Sequence, residues 1–178
     1  VSPEPEQQKI WREALRQTRK IKDGLGMPVD KHIVETVAIM RLMGINTTMS
    51  CGGHLRRITN GPYVMFYAPT YKKFLEQRKA IGDFLNPKAK QIQKKAIKVN
   101  LRERQKLLPF LEGFYAHRQV PYTQRLIIED VGFKGSYLRA QGADLAYIVN
   151  SQAKKEILTN NRKEMQAFTQ YLKEQFFA

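Results

Sequence analysis

The chain has 178 residues, enough for one domain with a substantial core and leaving little room for a second complete one. Thirty-one Lys and Arg against sixteen Asp and Glu give a formal charge of +15, which favours a polyanionic partner, nucleic acid before an anionic membrane surface, over an acidic small molecule. No apolar run reaches the roughly 18 to 20 residues of a membrane-spanning helix, the opening VSPEPEQQKIW lacks a signal-peptide core, and a single cysteine excludes an internal disulfide, so the expectation is a cytoplasmic protein without a membrane span.

After the Pro-rich start, Ile10, Trp11, Ala14, Leu15, Thr18 and Ile21 recur at helical spacing and predict a first helix over about 6–22. Arg12, Arg16 and Arg19 fall on its outer side, as a solvated face or a phosphate-contacting row. The breaker DGLGMP precedes a second helix over 30–43, with Asp30 as N-cap and Val29 stapled against Val34. That helix is apolar around most of its circumference, which predicts burial, and Gly44 is placed to end it. The β-branched stretch 45–51 reads as a strand, TNGP as a turn, and YVMFYAP as a second strand ended by Pro69.

Helical pattern returns over 71–84, breaks at Asn86-Pro87, and resumes as one long helix over 88–116 with a bend at Pro109. Advancing about 100° per residue, Ala89, Ile92, Ala96, Val99, Leu107 and Leu111 fall on one side, with Lys88, Lys95, Lys98, Arg102 and Lys106 opposite. RLIIEDVGFKGSYLRA reads as a hairpin whose turn contains Gly132 and Gly135. An amphipathic helix over 151–177 closes the chain. The expected architecture is a single α+β domain with helical extensions and a small, mostly antiparallel sheet packed with several helices.

Chemistry concentrates in INTTMSCGGHLRR, where Cys51 precedes His54 by three positions with two glycines between. A structural zinc site needs four ligands, and Cys51, His54, His32 and His117 together are every Cys and His in the chain; a catalytic metal would need a carboxylate such as Asp30. No metal and no cofactor is therefore expected. A Cys51–His54 nucleophile pair is sterically feasible in a turn, and the neighbouring Arg56 and Arg57 would favour the thiolate, but spacing identifies no third group to orient the imidazole. A third reading uses the backbone: amides from Ser50 through Gly52 and Gly53 form a concavity for an anion, assisted by His54, Arg56 and Arg57. The plainest alternative is a tight turn whose glycines serve only the bend.

The segment GINTTMSCGGH, preceded by the apolar helix VDKHIVETVAIMRLM and followed by a strand ending YAP, resembles a family of uncharacterised bacterial and mobile-element proteins that carry a G-x-x-T-x-x-S-C-x-G-H segment. The resemblance covers residues 27–69 and implies no activity. TTMSCGGH is also locally similar to the Thr-Thr-x-Ser-Cys-x-Gly-Arg segment of wybutosine-synthesising tRNA methyltransferases. His54 stands where that family has arginine, so neither the activity nor S-adenosylmethionine carries over.

Three basic segments, the Arg12/Arg16/Arg19 row, the Lys72-Lys73 stretch reaching Lys79 and the long-helix stripe, predict binding of RNA or DNA through phosphate contacts. No helix-turn-helix, zinc-finger or aromatic RNP signature suggests base-specific reading. The expected function is nucleic-acid binding on basic helical surfaces, with the 50–54 loop holding phosphate. The alternatives are an enzyme acting on nucleic acid or nucleotide through Cys51 and His54, and a subunit of a ribonucleoprotein or mobile-element assembly whose helices 71–116 and 151–177 contact protein.

Overall fold

The computed structural model describes residues 5–23, 26–55, 61–83, 85–131 and 135–178. Helix α1 (Glu6–Lys20) carries Glu6 in its first turn and Arg19 and Lys20 in its last, each sign matched to the helix dipole. It ends two residues short of the expected boundary: Ile21 is extended and Lys22 bridges to Pro28. Helix α2 (Val34–Leu42) starts later than expected, and Asp30 is not its N-cap. The Asp30 carboxylate instead accepts the His32 N–H at 3.0 Å, while its carbonyl accepts the amides of Ile33 and Val34. At the other end Gly44 adopts φ +73°, its N–H donates to the Arg41 carbonyl, and the Ile45 N–H donates to the Met40 carbonyl. This paired closure needs the left-handed conformation glycine allows, and it turns Ile45 into the core beside Met40.

Four strands follow, β1 (Thr47–Cys51), β2 (Tyr63–Phe66), β3 (Leu126–Asp130) and β4 (Ser136–Ala140), all antiparallel in the order β1-β2-β4-β3. Side chains alternate between the two faces. Val64, Phe66, Leu126, Leu138 and Ala140 point into one core cluster with Val37 and Met40 of α2. The same cluster holds Leu111 of α5 (Leu108–Tyr115) and Met165, Phe168 and Leu172 of α6 (Ser151–Phe177). The helices α2, α5 and α6 thus cover that face. The opposite face contributes nothing to the cluster. Among the described residues the architecture is α+β, six α-helices around a small antiparallel sheet.

The one long helix expected over 88–116 is two helices, α4 (Pro87–Gln105) and α5, with Lys106 and Leu107 between them. Pro109 has no N–H for the Gln105 carbonyl and its ring crowds that carbonyl, so the helix cannot run through. The amides of Lys106 and Leu107 instead bond three residues back, to Glu103 and Arg104, and fully buried Leu107 pins the corner in the core. Helix α3 (Tyr71–Ile81) packs along α4 as a helical hairpin; it stops at Gly82, φ +73°, and residue 84 of its expected end lies outside the described residues. Asn86 caps α4 by accepting the Lys88 N–H at 2.9 Å. Two buried side chains fasten α4 to the sheet: Asn100 accepts the Ala68 N–H at 2.9 Å, and Glu103 accepts the Asn46 N–H at 2.8 Å. Of the expected β3–β4 turn, Gly135 sits at φ +127° and Gly132 lies outside the described residues.

Candidate nucleic-acid interface and cysteine loop

The α3–α4 hairpin exposes Lys72, Lys73, Lys79, Lys88, Lys90, Lys94, Lys95, Lys98 and Arg102, none of them in an ion pair among the described residues. Against these, the exposed acids of 71–105 are Glu76 and Asp83; Glu103 is buried. Ile97 and Leu101 are exposed on the same strip as Lys94, Lys98 and Arg102. Lys90 and Lys94 are absent from the sequence-based stripe, although each lies one turn before a cation of the same strip. Lys106 is a correction in the other direction. Its ammonium pairs with Glu103 at 2.8 Å and donates to the Gly44 carbonyl at 2.8 Å, clamping the end of α2 to α4.

On α1 the three arginines differ. Arg16 forks onto Glu13 with contacts of 2.7 and 2.6 Å, and these bonds hold the Glu13 carboxyl down at about 2. Its charge is largely offset at short range. All three are exposed, and Arg12 also has an interaction of its own.

The cysteine loop lies at the other end of β1. That strand leaves the α4 anchor at Asn46 and reaches Cys51 five residues on, a run of about 15 Å. Half-buried Ser50 and Cys51 sit opposite Val64 and Tyr63, and Gly52 and Gly53 are buried. A Cβ on Gly52 would lie 2.6 Å from an Asp30 carboxylate oxygen and 2.8 Å from the His32 Cβ. Gly53 has φ +78°, and a Cβ there would lie 2.6 Å from the Leu158 Cδ1 and 3.0 Å from the Gly61 carbonyl carbon. Arg162 of α6 grips both carbonyls, Nε donating to Gly52 at 2.8 Å and Nη2 to Gly53 at 2.7 Å. The Gly53 N–H points at the Cys51 Sγ at 3.4 Å.

The orienting group that spacing did not identify is Asp30, whose second carboxylate oxygen is 3.2 Å from the His54 Nε2. One carboxylate therefore ties the turn before α2 to the imidazole after β1. His32 stands beside it with its pKa lowered, first by burial and then by the Arg162 charge, against an opposing pull from Asp30. The contact fixes the His54 ring three residues beyond Cys51, the last residue of β1. Exposed His117 lies just after α5, and among the described residues no three His, Cys, Asp or Glu side chains are grouped to hold a metal ion. Arg56 and Arg57 lie outside the described residues. Arg162 carried no sequence signal, being more than a hundred positions from the glycines it holds. No protein-family model, no curated protein and no solved structure matches the chain.

Proposed function

We propose that the protein binds nucleic acid through the α3–α4 hairpin. The observation that carries this reading is the row of exposed cations on two packed helices, unpaired by any described acid. Unneutralised Lys and Arg at helical spacing attract phosphates and release condensed counterions on binding. Phosphate contacts position the ligand without reading bases, so sequence preference is weak. Charge reversal of Lys95, Lys98 and Arg102 together is expected to weaken binding by similar factors for unrelated sequences. It should flatten the log–log salt slope by about 0.9 for each duplex phosphate no longer neutralised. Filter binding at a series of salt concentrations reads both quantities, and an unchanged affinity and slope would remove the hairpin from the interface. No helix of the described residues is long and apolar enough to cross a membrane.

The expected phosphate-holding loop is not part of this proposal, because the Gly53 amide is directed at sulfur and a carboxylate packs against Gly52. A second reading, chemistry at Cys51 with His54 as base, is favoured by the Asp30 contact, which supplies the orienter such a pair needs. Under it, Asp30→Asn and His54→Gln each slow alkylation of Cys51 in the folded protein; equal rates in wild type and both variants would rule that reading out.

A further inference from the structure

The sheet face opposite the core cluster carries a specific set of side chains. Strand register places Cys51, Tyr63, Arg139 and Ile127 in one row across the four strands, and Met49, Met65, Tyr137 and Glu129 in the next. None of these belongs to the core cluster. Met65, in the middle of its row, is buried; Tyr63, Tyr137, Arg139 and Ile127 are partly exposed, and Met49 is 55 % exposed. The Tyr63 and Tyr137 rings meet edge to face, 5.2 Å between centroids and 87° between planes. Each ring is fixed by the other without the two being stacked face on face.

The row does not stop at the strand end. Tyr67 continues the alternation of Tyr63 and Met65, and its ring lies 5.1 Å from that of Tyr71, the first residue of α3. Exposed Lys72 and Lys73 follow in the same turn. Aromatic face and basic hairpin thus follow one another along the chain from Tyr63 to Lys73, joined through the buried ring of Tyr71.

From this succession, and resting on the nucleic-acid reading above, we infer that the ligand is single-stranded and that its bases stack on that sheet face at Tyr63 and Tyr137 while its backbone follows the α3–α4 cations. Duplexes have their base faces already stacked and hidden, so partly exposed aromatic rings beside a phosphate-binding arm discriminate in favour of single strands. The two tyrosines stand on neighbouring central strands, a platform for about two or three bases. Arg139 adds a guanidinium opposite Tyr63, fixed by Glu129 and by a bidentate contact with Asp144 at 3.0 and 2.8 Å. Met49 supplies an adaptable apolar contact for an adjoining base.

The test uses the full chain with a labelled single strand of about 12 nucleotides and the duplex of the same sequence at low salt. The double substitution Tyr63→Leu with Tyr137→Leu is expected to weaken single-strand binding about 30-fold or more while leaving the duplex within about twofold, since removing each stacking ring weakens binding about fivefold or more. The double Phe variant, which keeps both rings, should stay close to wild type. Reversal of Lys95, Lys98 and Arg102 should weaken single strand and duplex alike. Photo-crosslinking of a thiouridine-substituted strand to the unmodified protein gives a readout independent of the variants' folding, and crosslinks on Tyr63, Tyr137 or Met49 are expected. Crosslinks confined to α3 and α4, or a Leu variant that binds single strands like wild type, overturns the sheet-face assignment and leaves hairpin binding standing. A wild-type protein that binds neither strand form overturns both. A face whose tyrosines matter only for capture of a protein partner overturns the single-strand assignment as well.

Discussion

The α3–α4 hairpin and the region where α6 meets the cysteine loop both carry cations, and they use them in opposite ways. Along α6 and the strands the guanidinium groups are committed internally: Arg162 to two loop carbonyls, Arg118 to Glu164 at 2.7 Å, Arg139 to Glu129 and Asp144. On the hairpin the ammonium groups face solvent with no described acid to meet them. Net charge alone therefore does not locate an interface. What separates those arginines from the exposed hairpin lysines is whether the cation already has an acceptor, as Arg104 of α4 also has in Asp130 at 3.1 Å, and a set of substitutions reads that distinction out in order of effect.

The largest effect is expected at Gly53. Valine there meets a positive φ that β-branched residues resist, at a cost of about 1–3 kcal/mol. It also drives a Cβ against Leu158 and the Gly61 backbone, of which the backbone cannot rotate away, adding about 1–3 kcal/mol of overpacking. Denaturant unfolding should show the sum. A variant as stable as wild type would mean that the loop is not packed as described, and the contrast with the hairpin would lose its rigid member.

Next comes Glu164, buried on α6, which accepts from Arg118 through two bonds and from the Tyr115 hydroxyl at 2.9 Å. Tyr115 in turn accepts the Leu126 N–H at 2.6 Å, so α5, α6 and β3 share one polar knot, and burial raises the phenol pKa well above its ordinary value. Glu164→Ala leaves the hydroxyl and a half-buried guanidinium without their acceptor and should cost about 2–4 kcal/mol. Glu164→Gln should fall between it and wild type. The triple reversal of Lys95, Lys98 and Arg102, by contrast, should change stability by no more than about 0.5 kcal/mol, because exposed side chains without partners hold nothing together. A large stability loss in that variant would show the hairpin cations to be structural too, and the comparison would collapse.

Much of this division was legible in the sequence, and the parts that were not have a common physical reason. The hairpin cations follow from helical period within one segment, so Lys95, Lys98 and Arg102 could be placed on an outer face from spacing alone; the closing helix matches its expected bounds for the same reason. The break falls at Lys106 and Leu107 rather than at Pro109 because a proline bends the path at the preceding turn, not at its own position. The loop's orienting groups, Asp30 and Arg162, come from outside the strand that carries Cys51, and only tertiary packing brings them together. The same holds for the aromatic face. The period-two pattern shows Tyr63 and Tyr137 as strand residues, but the register that sets Tyr63 beside Arg139 and leaves Tyr137 one row away is a property of the assembled sheet.

The smallest effect separates the two regions by pH. His32 has a lowered native pKa because burial and the Arg162 charge disfavour its imidazolium, with Lys31 and His54 acting in the same direction and Asp30 against them. In the unfolded chain the ring takes its proton near its ordinary value of about 6.5. A base whose native pKa lies below its unfolded pKa binds fewer protons when folded, so stability is full above the unfolded value and declines as pH falls toward the native one. Wild type should therefore lose stability between neutral pH and mildly acid pH, and His32→Gln, which cannot titrate, should lose less over the same window. The hairpin, residues 71–105, contains no histidine, so reversal of its cations should leave this pH dependence unchanged. Denaturant midpoints of the three proteins at matched ionic strength across that range decide the matter. A His32→Gln curve parallel to wild type would show that His32 contributes nothing to the coupling between protonation and folding at the loop.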